Sequence, residues 1–409
     1  GTVTIAKDLT INAGGAAVYA VGNGAGANGT LTVAAGTTLT VVGNSTGTPP
    51  GNSAAFAIGM MGGTGTVTVE AGASLIVQNA VLDIARNEDA HRELVTSGTL
   101  NIYGTVTTRS LECGAWFPVI NAADLATYNI DNFPVVATIN LEEGGVFSAD
   151  RFACNDQTLT MINFNGGTLR AAKSDASYAG PSVNGAMRWN IASGKNLIFD
   201  SQVNHCKFSA SPKRSDFFTL SGEGGLVKRG TGYLQIALPP ECNTFTGNIV
   251  VEEGYLSLGR PLAEGQTVYV KTGAVFYPSA ASDLAKITYE DPSAAPAQGS
   301  LYLVEGPIFG GLDLVGMAPA YRTDALGSSE SWSWASSISG TVTHAEASLE
   351  HPFELIGQYS GATVQFNNTG LEYLPLRLSG AGTFEFLGRR TVTDGRTDSI
   401  VLADSTVTY

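Results

Sequence analysis

The chain opens with Gly1-Thr2-Val3-Thr4-Ile5, and variants of this phrase recur within the first hundred residues, at intervals of 28, 36 and 33 residues. In each copy apolar residues alternate with threonine or asparagine, which is typical of a strand with one buried face. Because such a strand cannot bury its apolar face alone, irregularly spaced repeats predict coils that stack on one another. The further copies are Gly29–Val33 (GTLTV), Gly65–Val69 (GTVTV) and Gly98–Ile102 (GTLNI).

A second strand is predicted a short turn after each phrase. Glycine in the Ala-Gly words between the strands supplies the positive-φ corners that such turns need. We therefore expect an all-β fold with a parallel β-solenoid, which would form a stiff rod; a set of antiparallel sandwiches is the alternative. Examples of these second strands are Asp8–Asn12, Thr38–Val42 and Ser74–Gln78.

One stretch resembles a known repeat family. Ser221–Ile236 reads SGEGGLVKRGTGYLQI and Asn243–Leu256 reads NTFTGNIVVEEGYL. Residues 221–258 resemble the autotransporter-associated β-strand repeat, whose pattern is G-G-L-x-K-x-G-x-G-x-L-x-L followed by N-x-[YF]-x-G-x-[TI]-x-V-x-x-G-x-L. Pro239–Cys242 departs from the usual Gly/Ser linker, and Asn248-Ile249 departs from the usual Gly-Thr. The resemblance implies a right-handed parallel β-helix in an exported bacterial surface protein, and it implies no reaction.

The predicted organisation has three parts. Residues 1–290 form the solenoid, with an excursion from one coil at 111–137 and surface loops at 172–187 and 209–216. Residues 291–300 contain prolines, alanines and serines and are predicted to be a linker. Residues 301–409 hold short apolar strands and are predicted to be a β-rich C-terminal module.

Composition excludes several classes of partner. The chain has 36 acidic and 22 basic residues, a formal net charge of −14, and no large basic cluster, which disfavours nucleic acids and anionic membranes. A run of about 20 apolar residues is absent, so no membrane span is predicted. Since the sequence has neither an initiator Met nor a signal peptide, we expect an extracellular or cell-surface protein whose export signal has been removed.

The four cysteines are candidates for disulfide bonds in an exported protein. They are Cys113, Cys154, Cys206 and Cys242, widely spaced and without a C-x-x-C motif. Four cysteines allow three pairings, and the alternative is four buried thiols. Histidines at zinc-ligand spacing are missing, so neither a metal nor any other cofactor is predicted.

Because parallel β-helices also carry polysaccharide lyases and hydrolases, we searched for paired carboxylates. Asp150, Asp156 and Asp200 are the candidates, with Arg170 and His205 nearby in sequence. Their surroundings lack the Asn-Thr-Asp, Asp-Asp, Gly-His-Gly and Arg-Ile-Lys words of pectin-degrading enzymes. Solvated surface acids are therefore the favoured interpretation, and no catalytic residue is predicted.

Trp332 and Trp334 alternate with serine and would share one face of a strand. They are candidates for a flat glycan-binding platform. The competing interpretation is that both rings pack in the core of the C-terminal module.

Both ends of the chain read as strands without a cap, Gly1-Thr2-Val3-Thr4-Ile5 at the start and Thr406-Val407-Thr408-Tyr409 at the finish. An open coil exposes unpaired backbone, so we expect either that chain was removed or that another copy covers the ends. The leading hypothesis is a non-enzymatic structural or adhesive protein that self-associates into a homo-oligomer, fibre or surface layer and displays a surface for glycans. A carbohydrate-active β-helix enzyme and a glycan-binding module are the alternatives.

Overall fold

In the computed structural model, the first 292 residues are described except for a few short segments, and from residue 301 onward only the backbone of individual strands is described. Within these ranges the protein is all-β, with parallel strands stacked in chain order, so the predicted parallel β-helix is confirmed. The chain divides into two compact units, Gly1–Tyr255 with Ala263–Gln266 and Leu256–Leu262 with Thr267–Tyr409. The segments outside the description are 13–16, 44–54, 88–93, 116–128, 155–157, 182–184, 210–214, 278–280 and 293–300.

Short strands make up the first unit. They are β1 (Thr2–Ile5), β2 (Leu9–Asn12), β3 (Val18–Asn23), β4 (Asn28–Val33), β5 (Thr38–Val42), β6 (Ala55–Met60), β7 (Thr64–Val69), β8 (Ser74–Asn87), β9 (Thr96–Ile102), β10 (Thr105–Ala115), β11 (Val135–Glu142), β12 (Val146–Ala149), β13 (Phe152–Cys154), β14 (Thr158–Asn165), β15 (Thr168–Ala171), β16 (Asp175–Pro181), β17 (Ala186–Ile191), β18 (Asn196–Asp200), β19 (Cys206–Ser209), β20 (Phe218–Gly222), β21 (Gly225–Arg229), β22 (Tyr233–Ala237) and β23 (Ile249–Val251), and β24 (Tyr255–Ser257) begins in it.

These strands line three parallel faces of the coil. The first face runs β1-β4-β7-β9-β11-β14-β17-β20. The second runs β2-β5-β8-β10-β12-β15-β18-β21-β23, and the third runs β3-β6-β8-β10-β13-β16-β19-β22. The long strands β8 and β10 take part in both the second and the third face. Each coil therefore has a third strand that the sequence pattern did not predict, and β16 lies within the region predicted to be a loop.

The four copies of the opening phrase stack on one another in register. Thr2 pairs with Thr30, Thr30 with Thr66, and Thr66 with Thr99 on the first face. The alternation places apolar side chains inside, and Val69 is completely buried. The sequence repeat is thus the repeat of the first face.

Aromatic side chains fill the interior of the later coils. Trp189 is completely buried and contacts the rings of Phe164, Phe208 and Phe218 edge-on, with centroids 5.0–5.3 Å apart. Edge-to-face packing of this kind adds to the stability gained from burying apolar area. The first unit therefore has one apolar core that continues from coil to coil.

The outer side of the first face carries a ladder of amides. Asn140 donates from Nδ2 to Oδ1 of Asn101 at 2.7 Å, and Asn163 donates to Asn140 at 2.8 Å. Asn101 in turn donates to the hydroxyl of Thr68 at 3.2 Å. These hydrogen bonds run along the stack and join neighbouring coils through their side chains as well as their backbones.

The segment between β10 and β11 is shorter than the excursion predicted at 111–137, because β10 extends to Ala115 and β11 begins at Val135. Residues 116–128 lie outside the described residues. A short 3₁₀ turn at Ile130–Asn132 ends the excursion, and Phe133 beside it packs in a small apolar cluster with Leu159 and Phe217.

The second unit contains both parallel and antiparallel strands. Within it β25 pairs with β27 in parallel, and β28-β29-β30 and β31-β32-β33 are antiparallel runs. Strand β34 pairs in parallel with β28, β35 pairs in parallel with β33, and β36 pairs in parallel with β35. No helix among the described residues is long and apolar enough to cross a membrane. The strands are β25 (Val268–Val270), β26 (Val275–Tyr277), β27 (Ile287–Tyr289), β28 (Leu301–Glu305), β29 (Leu312–Gly316), β30 (Tyr321–Thr323), β31 (Ser329–Trp334), β32 (Ile338–Thr343), β33 (Phe353–Gly357), β34 (Val364–Asn367), β35 (Leu376–Glu385) and β36 (Ile400–Thr408).

Candidate functional site

A lysine occupies a core position on the second face. Lys228 in β21 is the register partner of Phe199 in β18 and of Val251 in β23, and all three residues are completely buried. The alternation of side chains along β21 therefore places a charged residue in an interior row of stacked apolar side chains. Its aliphatic stem fills that row while the amine must find partners at the edge of the core.

The amine of Lys228 finds those partners in three successive turns. Nζ donates to Oγ of Ser201 at 2.9 Å, to the carbonyl of Arg229 at 2.8 Å and to the carbonyl of Gly230 at 2.7 Å. It also lies 3.2 Å from the carbonyl of Glu253. One side chain thus ties together the turns that follow β18, β21 and β23, a region we call the Lys228 corner (residues 200–204, 228–232 and 252–254).

Burial governs the protonation of this corner. It lowers the pKa of Lys228 to about 7, and the neighbouring negative charges, that of Asp200 foremost, offset only part of the effect. Burial and the charge of Lys228 also lower the pKa of His205, whose Nδ1 accepts a hydrogen bond from the backbone N–H of Tyr233 at 3.2 Å. His205 therefore acts as a structural acceptor here.

Left-handed residues form the bend of each turn. Gln202 has φ 55° although it is not glycine, and its backbone N–H and side-chain amide donate to the two oxygens of Asp200, at 3.0 and 2.6 Å. The left-handed residues of the next two turns are Gly230 (φ 76°) and Gly254 (φ 65°). A Cβ on Gly230 would lie 2.3 Å from the backbone nitrogen of Gln202, so this turn requires glycine. Strained residues held by several contacts are a feature of functional sites.

Charges of alternating sign form a ladder on the outside of the corner. Arg170, Asp200 and Arg229 are register partners on successive coils, and Glu252 follows on the next. Nε of Arg170 lies 2.9 Å from Asp200 Oδ2, and Nε of Arg229 lies 2.5 Å from Glu252 Oε2. The sequence had singled out Asp200 and Arg170, and the structure brings these two together.

An open depression of about 420 Å³ lies over the corner. The side chains that line it are polar or charged except for that of Val203, whose surface is 75% exposed. Rigid polar groups beside one exposed apolar side chain provide hydrogen bonding and a contact surface in the same place. The lining residues are Asp200, Gln202, Val203, Arg229, Gly230, Thr231, Glu252 and Glu253.

Asp200 is poorly suited to act as a general acid. Burial alone would raise its pKa, but hydrogen bonds from Gln202 and Arg170 outweigh burial and lower the pKa. Asp150 lies beside a different arginine, with Arg109 Nε 3.8 Å from its Oδ2. Asp156 lies outside the described residues.

A second acidic pair was not found from the sequence. Asp83 in β8 and Glu112 in β10 are register partners on the third face and are both buried. Nη1 of Arg86 lies 2.8 Å from Asp83 Oδ2. The sequence signal for this pair is one acid at the same position of two strands that stack on each other. It can be recognised only when the length of the coil is known. No group of three or more metal-ligating side chains occurs in the part of the chain that the structure describes.

The strand register singles out one of the possible cysteine pairings. Cys113 and Cys154 are register partners in β10 and β13. Cys206 is buried elsewhere in the core, where burial raises the pKa of its thiol to about 12. Cys242 is buried at the end of a 3₁₀ turn, Pro240–Cys242.

The remaining predicted site residues lie on strands. Trp332 and Trp334 both fall in β31, two residues apart and opposite Gly340 and Ile338. In the opening segment Gly1–Ile5, predicted to take part in self-association, Thr2–Ile5 form β1, which pairs with β4. Most of the second segment, Thr406 to Thr408, belongs to β36, the last strand of its sheet, and Tyr409 lies outside the described residues.

Comparison with protein-family models found no match for this chain, and comparison with curated proteins found none. The resemblance at residues 221–258 therefore stays a prediction. The strands β21, β22, β23 and β24 fall within that stretch.

Proposed function

We propose that the chain is a non-enzymatic structural or adhesive protein of the cell surface, in which stacked coils form a stiff scaffold. The observation that carries this proposal is the tie at Lys228, where one buried amine bonds three successive turns. The amide ladder and the continuous core strengthen the same stack. A scaffold so closely joined resists local opening and holds its surface groups in fixed positions.

Self-association through the ends of the coil stack is part of the proposal. Val3 and Leu9 in the first coil expose 54% and 41% of their surface, although the corresponding residues of later coils are buried. Among the described residues β1 pairs only with β4, and an apolar strand at the edge of a sheet favours pairing with another strand. We propose that a second copy of this chain supplies that strand.

Sedimentation velocity and electron microscopy of the purified chain test this proposal. We expect the sedimentation coefficient to rise with protein concentration, and we expect elongated assemblies in the micrographs. Dispersed monomers at every concentration would contradict self-association. Rapid digestion of the whole chain by a non-specific protease would contradict the stiff scaffold.

The alternative of a polysaccharide hydrolase gains no support from the acid pair on the third face. Asp83 and Glu112 are register partners, but both side chains are buried and Asp83 is paired with Arg86. The two carboxylates of a glycosidase must flank the bond that is cut, which requires that the substrate can reach them.

A further inference from the structure

The depression at the Lys228 corner is a built site whose floor does not depend on flexible side chains. The amine beneath it bonds the turns on which the lining residues lie, so those turns keep their spacing. The lining amide of Gln202 is fixed by its contact with Asp200 at 2.6 Å. A ligand would therefore meet groups that are already in place, which reduces the entropy lost on binding.

The chemistry of the lining suits hydroxyl groups. Guanidinium, amide and hydroxyl groups of Arg229, Gln202 and Thr231 stand beside the carboxylates of Glu252 and Glu253. Carboxylates and planar nitrogen donors bind pairs of adjacent hydroxyl groups, since each supplies two hydrogen-bonding atoms in one plane. The site thus offers both donors and acceptors to a polyhydroxylated ring.

An apolar contact and the balance of charge narrow the class of ligand. Val203, with 75% of its surface exposed, offers a patch for the C–H face of a sugar ring. Three carboxylates and one guanidinium line the depression, which disfavours acidic sugars. Asp200 and Glu252 are paired with arginines, so the lining does not favour basic sugars either.

We infer that the depression at the Lys228 corner binds one unit of a neutral saccharide, an inference that rests on the proposed adhesive function and names its ligand class. The volume of about 420 Å³ lies within the range of small-molecule sites. The ring lies with its hydroxyl groups toward Arg229 and Glu252 and its C–H face toward Val203.

Isothermal titration of the full chain with defined trisaccharides tests the inference. The neutral probes are cellotriose, maltotriose and tri-N-acetylchitotriose, the acidic probe is trigalacturonate, and the basic probe is the glucosamine trimer. We expect saturable binding of at least one neutral trimer and none of the acidic trimer. Thr231→Val and Arg229→Gln should each weaken binding at least tenfold.

Two matched variants control for general effects. Thr68→Val removes a hydroxyl from the first face, and Arg109→Gln breaks an ion pair outside the depression, so both should bind as the unchanged chain does. The inference is overturned if no neutral trimer binds, if only the glucosamine trimer binds, or if Thr231→Val and Arg229→Gln bind normally. If the unchanged chain assembles but binds no neutral trimer, this site alone is refuted, whereas an unchanged chain that does not assemble refutes the proposed function.

Discussion

At the scale of single residues, Lys228 shows how a charge can occupy a core position. Its register partners Phe199 and Val251 are apolar and buried, so the position itself is part of the core. One hydroxyl and three carbonyls from three turns replace water around the amine, but incompletely, which is why burial lowers its pKa to about 7. The residue therefore joins the coils and at the same time makes stability depend on pH.

The first prediction concerns that dependence. Lys228 holds fewer protons in the folded than in the unfolded chain between its folded pKa of about 7 and its ordinary value of 10.5. Stability should therefore rise with pH across this interval. From pH 7.0 to 8.5 the free energy of unfolding, measured by urea denaturation, should increase by roughly 1–2 kcal/mol. In Lys228→Met this increase should disappear.

The window of pH 7.0–8.5 separates Lys228 from the other shifted groups. His205 has its lowered pKa below 6.5, and Cys206 changes protonation between 9 and about 12. Lys195→Met provides the control, since this lysine is exposed and pairs with Glu143 at 2.7 Å. An equal pH slope in the unchanged chain and in Lys228→Met would refute the assignment.

The second prediction concerns the cysteines. Cys113 and Cys154 are register partners. Adjacent parallel strands lie about 4.8 Å apart, inside the Cα range of roughly 4.4–6.8 Å that a disulfide requires. If the chain matures in an oxidising compartment, we expect this pair to be the disulfide. Closing a loop of about 40 residues would stabilise the protein by about 4 kcal/mol in the chain-entropy model.

Peptide mapping by mass spectrometry without reduction, after expression in an oxidising compartment, tests the pairing. The linked peptide should contain Cys113 and Cys154, and it should vanish in Cys154→Ser. Cys206→Ser should leave the linkage unchanged, because that thiol is buried and its pKa is raised. A bond between Cys206 and Cys242 would show that the register argument is wrong.

At the scale of the strand, the glycine that opens the repeat differs from the turn glycines of the Ala-Gly words, of which Gly36 and Gly72 have positive φ as expected. Gly65 and Gly98 do not have positive φ. A Cβ on Gly65 would lie 2.2 Å from the backbone nitrogen of Gly59, and one on Gly98 would lie 2.1 Å from the carbonyl oxygen of Ile58. In these copies the phrase begins with glycine because the first face approaches the backbone of the third face too closely for a side chain, whereas a Cβ on Gly1 would meet nothing within 4 Å.

The third prediction follows from this close approach. Gly98→Ala must displace backbone, so we expect it to lower the free energy of unfolding by about 3 kcal/mol or more. Gly144→Ala is the matched control, because a Cβ there meets nothing within 4 Å. Because Gly144 has positive φ, we still expect Gly144→Ala to lower the free energy of unfolding by about 1 kcal/mol. Similar urea midpoints for the two variants would contradict the crowding argument.

The sequence was sufficient to predict strands that carry a strict alternation. The third strand of each coil was missed because β6 is buried along its whole length and shows no alternation. In the site, the partners Arg170 and Asp200 were both singled out, yet their contact depends on a coil of 30 residues that no local pattern specifies. Lys228 was missed as a site residue because a lysine in a strand is ordinarily assigned to the solvent side.

At the scale of the whole molecule, the proposed self-association concerns the edges of the sheets. The far edge of the first face is covered, since the backbone N–H groups of Thr244 and Thr246 donate to the carbonyls of Leu220 and Gly222 at 2.8 and 3.0 Å. Its near edge, β1, pairs only with β4 among the described residues. Strand β36 is likewise the last strand of its sheet. A contact between β1 of one copy and β36 of the next would be heterologous, the type of contact that links copies into rings or fibres.

The fourth prediction tests the β1 edge. Val3→Lys places a charge on an exposed apolar position of that edge, and lysine on an edge strand opposes pairing with another chain. We expect the sedimentation coefficient of this variant to stay constant with concentration while that of the unchanged chain rises. Val95→Lys is the control, because Val95 is also exposed, at 72%, but lies outside the first coil. If Val3→Lys assembles as readily as Val95→Lys, the copies do not meet through β1, and the contact must be sought at β36 instead.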